Sequence, residues 1–194
     1  MAIGHVRYST AGGSLLKNAQ PLAVDYARGS IAVAHNGNLT NAECLREKLE
    51  ERGSIFQSHS DTEVIIHLVA ISTQRAIEDR IADALGQVEG AYSLVCLTDQ
   101  ALIAVRDPLG IRPLCLGLLP GANPCHVVAS ESNCFELIGA RFVRDIDPGE
   151  MVVIDRRGLR SSRPFHRAAR KMCLFEFVYF GRPDSVLDGV SVYE

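Results

Sequence analysis

Few features of this sequence would place it outside the ordinary globular class. No apolar run is long enough to cross a bilayer and no signal-peptide pattern opens the chain, so the reading is a cytoplasmic protein without membrane contact. No charge of one sign dominates: the formal net charge of -3 gives no reason to expect nucleic acid or an anionic membrane surface. Six cysteines (Cys44, Cys96, Cys115, Cys125, Cys134, Cys173) include no C-x-x-C pair, which argues against a disulfide framework or a self-contained zinc site. Several lie inside apolar runs, as buried thiols do. No internal repeat or low-complexity linker divides the chain. What remains is 194 residues, 47% hydrophobic and 22% charged, enough for one generous domain with a sizeable core.

The hydrophobic period changes along the chain. Residues 3–8, 21–25 and 30–34 read as short strands, and a helix over about 41–52 closes at Gly53. Thr40 to Glu43 and Ser60 to Glu63 both fit capping boxes. The second opens a helix whose run Val64 to Ile71 is apolar nearly all round, as a helix buried between layers would be. A third helix is expected over about 77–88. Strand patterns follow at 91–98, 101–106, 114–119 and 126–130, then a brief helix at 132–138 and a hairpin of 151–155 with 159–163. Phe175 to Phe180 reads as another β-type run. Helices in one block and antiparallel strands in another indicate an α+β fold.

Three stretches carry chemistry. Ala34-His35-Asn36-Gly37-Asn38-Leu39-Thr40-Asn41 follows an apolar strand that stops at Asn-Gly, which is first a turn signal. The same pair offers an amide side chain beside an unobstructed backbone N–H, the donors a developing oxyanion needs. Arg7 sits in an otherwise apolar segment, where its fork either meets a carboxylate or lies at a sheet edge. Asp61 follows Ser60 at a helix start, where the dipole favours an acid with or without a substrate ammonium to receive. Together they describe a pocket for an α-amino acid whose side-chain carbonyl is attacked.

The motifs Gly4-His5-Val6-Arg7-Tyr8-Ser9-Thr10-Ala11-Gly12, Ala34 to Asn41 and Ser60-Asp61-Thr62-Glu63 resemble the glutaminase domain of amidophosphoribosyltransferases. Arg106-Asp107-Pro108-Leu109-Gly110-Ile111-Arg112-Pro113-Leu114, Ala129-Ser130-Glu131-Ser132, Asp147-Pro148-Gly149-Glu150 and Tyr179 to Ser185 extend the likeness over essentially the whole chain. Glucosamine-6-phosphate synthase, of the same class II scheme, is expected to read G-H-T-R-W at the first motif. Another class II glutamine amidotransferase and a non-catalytic amino-acid-binding module remain the alternatives.

The resemblance implies an α+β fold of the N-terminal nucleophile hydrolase type, a four-layer α/β/β/α sandwich incomplete at its N-terminus. It implies that Arg7 binds the glutamine α-carboxylate, Thr10 helps to position the substrate and Asp61 holds the ammonium. Asn36 and Gly37 would form the oxyanion hole, with His35 a structural partner beside the site and Ser130 and Glu131 supporting the pocket wall. The family's nucleophile is an N-terminal cysteine whose own amine serves as base, whereas residue 1 here is Met. The expectation is therefore a truncated chain, inactive alone, with residues 1–172 as the glutaminase domain. Residues 173–194 would begin the connection to a missing phosphoribosyltransferase domain. For the whole enzyme the resemblance implies glutamine hydrolysis feeding ammonia to phosphoribosyl pyrophosphate, with magnesium, homo-oligomeric assembly and, in some members, a 4Fe–4S cluster. Cys173 matches a ligand position of that cluster; within this chain it reads as a buried thiol and no cofactor is expected.

Overall fold

The computed structural model describes residues 1–7, 15–166 and 168–193. The chain divides inside one strand into two compact units, Met1–Ile103 and Ala104–Glu194.

In the first unit, β1 (Leu22–Tyr26) and β2 (Gly29–Leu39) form a hairpin. β3 (Gly90–Thr98) lies antiparallel to β2, from Ile31 opposite Thr98 to Leu39 opposite Gly90, and β4 (Ala101–Arg106) follows in the sheet order. That ladder corrects the turn expected at Asn36-Gly37. Residues 31–39 all find partners on β3, and a continuous ladder satisfies backbone groups that a local turn would leave unpaired. Three helices accompany the sheet: α1 (Ala42–Glu50), α2 (Asp61–Ile71) and α3 (Ile77–Leu85). α2 packs against α1, α3 and β2. It buries Val64, Ile65, Ile66, Leu68 and Val69, as its unbroken apolar run requires. With Val33, Ile81, Leu94 and Ile103 these side chains form the core, each contributing on the order of 1.5–3 kcal/mol on full burial.

Of the two expected capping boxes, the one at Ser60 forms only in half and the one at Thr40 does not form. Ser60 Oγ accepts from the Thr62 N–H at 3.3 Å, but Glu63 turns to the N–H groups of Gln57 and Ser58 at 2.8 and 2.7 Å. At α1 the cap residue is Asn41, and its side chain bonds Gln87 O and Glu89 N–H at 2.9 Å each, while the Thr40 hydroxyl donates to Glu89 O. Tying down the 87–89 loop wins over capping. Gly53 closes α1 at a φ of +90°.

The strand expected over 3–8 is not found in its described part. Residues 1–7 join no ladder, and Val6 is 99% exposed. Burial nevertheless alternates, with Ile3, His5 and Arg7 half-buried and Ala2, Gly4 and Val6 exposed.

In the second unit, β5 (Cys115–Leu119) is the middle strand of an antiparallel trio with β6 (Cys125–Ala129) and β7 (Arg141–Asp145). Phe135, from α4 (Asn133–Leu137), fills this unit's small core; a Cβ at Gly117 would come within 2.7 Å of its ring. The expected hairpin forms as β8 (Met151–Asp155) and β9 (Gly158–Ser162). Phe175 to Phe180 is not a strand but a π-helical turn over Glu176–Phe180, closed by the Gly181 N–H on Glu176 O at 2.8 Å. Its aromatic and β-branched residues suggest a strand, yet the buried Glu176 carboxylate is drawn to Arg112 at 2.5 Å. Last come β10 (Val186–Leu187) and β11 (Val190–Ser191), joined through Asp188 and Gly189 at φ +53° and +80°.

Helices and antiparallel strands thus coexist as the α+β class requires. Among the described residues no helix is long and apolar enough to cross a membrane. All six cysteines are free; Cys96 and Cys115 are buried, Cys44 and Cys125 exposed.

Candidate active site

Asn36, Gly37 and Asp61 come together where β2 meets the N-terminus of α2. Ser60 turns the chain into the helix, which sets Asp61 in its first turn with the dipole behind it. Asp61 Oδ2 accepts the Leu39 N–H at 2.9 Å, so the carboxylate is docked on β2 two residues beyond Gly37. Asp61 Oδ1 lies 3.6 Å from His35 Nδ1 and 3.5 Å from the Thr62 hydroxyl. Burial alone would raise the Asp61 pKa; the contact with His35 and the N–H groups of Leu39 and Thr62 outweigh it and hold the carboxyl below its usual range. Its side chain keeps 15% of its surface open. It is an ionised acceptor that stays partly accessible.

Asn36 and Gly37, both half-buried, lie on β2 opposite Ser93 and Tyr92. Gly37 cannot be replaced without displacement, because a Cβ there would stand 2.0 Å from Ala91 O and 2.7 Å from His35 Nε2. The residue that leaves the N–H unobstructed is also the one the packing demands.

Arg7 is half-buried in the extended segment that carries His5. Burial lowers the His5 pKa, and its electrostatic interactions with His35 and then Arg7 lower it further. His5, Arg7 and His35 therefore share one electrostatic neighbourhood. Thr10 lies outside the described residues.

Sequence reasoning missed the side chains that fix this cluster. The Gln20 carbonyl accepts the His35 N–H at 2.6 Å, and Thr62 Oγ1 stands 3.3 Å from His35 Nδ1. Gln20 carries no local signal. Thr62 was within the quoted motif and gave no sign of its partner.

The other expected residues belong to the second unit. Glu131 Oε2 accepts from the Arg182 N–H at 3.1 Å and the Ser185 hydroxyl at 3.0 Å, so it ties down the 182–185 turn, and Ser130 is exposed just before it. Cys173 is half-buried, its N–H directed at Ile111 O. A cubane cluster needs about four thiolates, and among the described residues no three His, Cys, Asp or Glu side chains converge as metal ligands. These residues by themselves do not fit an iron–sulfur cluster. Nor are the buried thiols suited to attack: burial pushes Cys96 up to about 12 and raises Cys115 as well, whereas the thiolate is the nucleophile.

The sequence pattern of the glutamine amidotransferase domain family matches residues 5–136, a span that includes Arg7, Asn36, Gly37 and Asp61. Over all of its length the chain is 51% identical to amidophosphoribosyltransferase 1, chloroplastic, of Arabidopsis thaliana, of which it spans 34%. It is 45% identical over 99% of its length to the amidophosphoribosyltransferase of Bacillus subtilis (strain 168), of which it spans 40%. A solved structure of glutamine phosphoribosylpyrophosphate amidotransferase from B. subtilis, complexed with ADP and GMP, superposes with a TM-score of 0.90 at 42% identity, covering 97% of this chain and 40% of that one. The chain thus spans well under half the length of these relatives.

Proposed function

Because the chain belongs to the glutamine amidotransferase domain family, we propose that the cluster at β2 and α2 binds glutamine and stabilises the oxyanion formed when its side-chain amide is attacked. Arg7 takes the α-carboxylate and Asp61 the α-ammonium. The Asn36 side-chain amide and the Gly37 N–H receive the oxyanion, and Thr10 helps to position the substrate. The observation that carries this reading is Asp61: an ionised carboxylate docked on the strand that bears Asn36-Gly37 and still partly accessible. Two residues of strand, about 7 Å, separate Leu39, where Asp61 docks, from Gly37. That suits an amino acid whose side-chain carbonyl carbon is four bonds from its α-nitrogen.

In the family's scheme an N-terminal cysteine attacks, ammonia leaves, and water cleaves the thioester to glutamate. In that scheme Arg7, Asp61, Asn36 and Gly37 supply binding and oxyanion stabilisation. In the whole protein the ammonia converts phosphoribosyl pyrophosphate to phosphoribosylamine, the first step of de novo purine synthesis. The amidophosphoribosyltransferases it resembles support that role. We place the protein in the cytoplasm as a homo-oligomer; six free thiols suit a reducing compartment.

Calorimetry with glutamine tests the site, using Arg7→Ala and Asp61→Ala. Saturable binding lost in both variants supports the two assignments. Binding that survives both substitutions, or none by the folded wild-type protein, overturns the proposal that this cluster binds glutamine.

A further inference from the structure

His35 is 4% exposed, and burying a polar ring is costly unless its nitrogens are engaged. Nδ1 lies 3.3 Å from Thr62 Oγ1 and 3.6 Å from Asp61 Oδ1, and Nε2 lies 3.4 Å from Ala91 O on β3. Its backbone N–H is held by Gln20 at 2.6 Å. The ring also lies so close to Gly37 that a Cβ there would stand 2.7 Å from Nε2. It therefore occupies the space between the Asn36-Gly37 stretch of β2, the facing carbonyl of β3 and the first turn of α2.

Asp61 is bracketed by this strand. Leu39 holds Oδ2 and His35 faces Oδ1, both from β2. A carboxylate held at one oxygen alone could turn about its side-chain bonds. With both oxygens flanked from one strand, the carboxylate has a fixed direction relative to Asn36 and Gly37.

We infer that His35 is a positioning residue: it fixes the Asp61 carboxylate relative to the Asn36-Gly37 strand and so sets the distance between the ammonium acceptor and the oxyanion donors. The inference rests on the reading of Asp61 given above and assigns His35 no contact with substrate.

The test compares glutamine with 4-carbamoylbutanoate, the same molecule without its α-ammonium group, by calorimetry on the protein. In wild type Asp61 favours glutamine. His35→Phe fills the volume without a hydrogen-bonding group and lowers that preference by about 10-fold, within the range of measured couplings between touching residues. His35→Gln, which retains a side-chain N–H, restores it to within about 3-fold, and in an Asp61→Asn background His35→Phe changes the preference by less than about 2-fold. If His35→Phe does not fold, His35→Leu, which likewise lacks a hydrogen-bonding group, examines the same contact and lowers the preference by about 3-fold or more. Equal weakening of both ligands, or an undiminished effect in the Asp61→Asn background, would mean that His35 only packs, and overturns the inference. A wild-type protein that binds both ligands equally overturns the role of Asp61 itself, a different failure that takes the inference with it.

Discussion

Arg106 and Asp188, separated by 82 residues in the chain, form a two-pronged ion pair: Nη1 to Oδ1 at 2.7 Å and Nη2 to Oδ2 at 2.6 Å. Their side chains are 1% and 5% exposed. The remaining Arg106 donors meet the carbonyls of Arg112, Ile146 and Gly110, so a buried guanidinium is fully engaged. Burial alone would raise the Asp188 pKa; Arg106 and then Arg170 reverse that and hold it below the usual range. The pair fastens the β10–β11 turn to the end of β4.

Removing one partner of such a pair leaves an uncompensated buried charge, which typically costs about 3–5 kcal/mol. Asp188→Asn is expected to lower unfolding stability by that order and to expose the amides of residues 186–191 to hydrogen exchange. Arg170→Ala, which removes a half-exposed contact to the same carboxylate, should cost less than about 1 kcal/mol. Urea melts with exchange mass spectrometry read both. A loss below about 1 kcal/mol for Asp188→Asn would show that the three carbonyls satisfy Arg106 alone.

Glu150 sets an acid limit on stability. It is 2% exposed, accepts from both Arg144 Nη groups at 2.8 and 2.6 Å and from the Asp147 N–H at 2.8 Å, and also meets the Ser161 hydroxyl. Burial works against ionisation, but these donors prevail and move its pKa from 4.5 to about 2. The unfolded chain therefore takes up this proton first. The contribution is whole above about pH 4.5 and is lost as pH falls toward 2. Asp61, Asp188 and Glu63 are lowered and act in the same sense, while Asp145 and Glu176, raised first of all by burial, oppose them. Urea midpoints from pH 7 down to 3 should fall steeply for wild type and less steeply for Glu150→Gln, which starts from a lower value. Parallel slopes would remove Glu150 from the account.

Features specified by neighbours in sequence were legible before the structure. The burial of α2 follows from its unbroken apolar run, and the β8–β9 turn from Arg156-Arg157-Gly158 between two apolar segments. What escaped depends on distant partners. Asn36-Gly37 is a turn by local chemistry and part of a strand because β3 lies opposite. Phe175 to Phe180 is a strand by propensity and a π-helical turn beside Arg112. β7 is masked by Arg141, Arg144 and Asp145, and the Asp188-Gly189 turn was readable as a hairpin signal but lies between very short strands. Of the site, Asn36, Gly37 and Asp61 were identifiable as residue types suited to the chemistry proposed for them. The Asp61 contacts to Leu39 and His35 span 22 and 26 residues, and only the fold reveals them.

Gly37 is where packing and the proposed chemistry can be separated. A methyl group there would stand 2.0 Å from Ala91 O, which is strand backbone, and 2.7 Å from the ring of His35, which Gln20 and Thr62 hold in place. β2 and β3 must spread for Gly37→Ala to fold, at a cost of about 1–3 kcal/mol. If the Gly37 N–H stabilises an oxyanion, that displacement harms turnover far more than glutamine binding, because ammonium and carboxylate contacts act in ground and transition states alike while the oxyanion exists only in the latter. In the whole enzyme, Gly37→Ala should therefore lower glutaminase kcat by about 100-fold or more while changing glutamine affinity by less than about 5-fold. Turnover and dissociation constants measured on one folded preparation decide the matter. A variant that loses stability yet turns over normally would show that Gly37 serves the β2–β3 contact alone, and the oxyanion donors would have to be sought elsewhere.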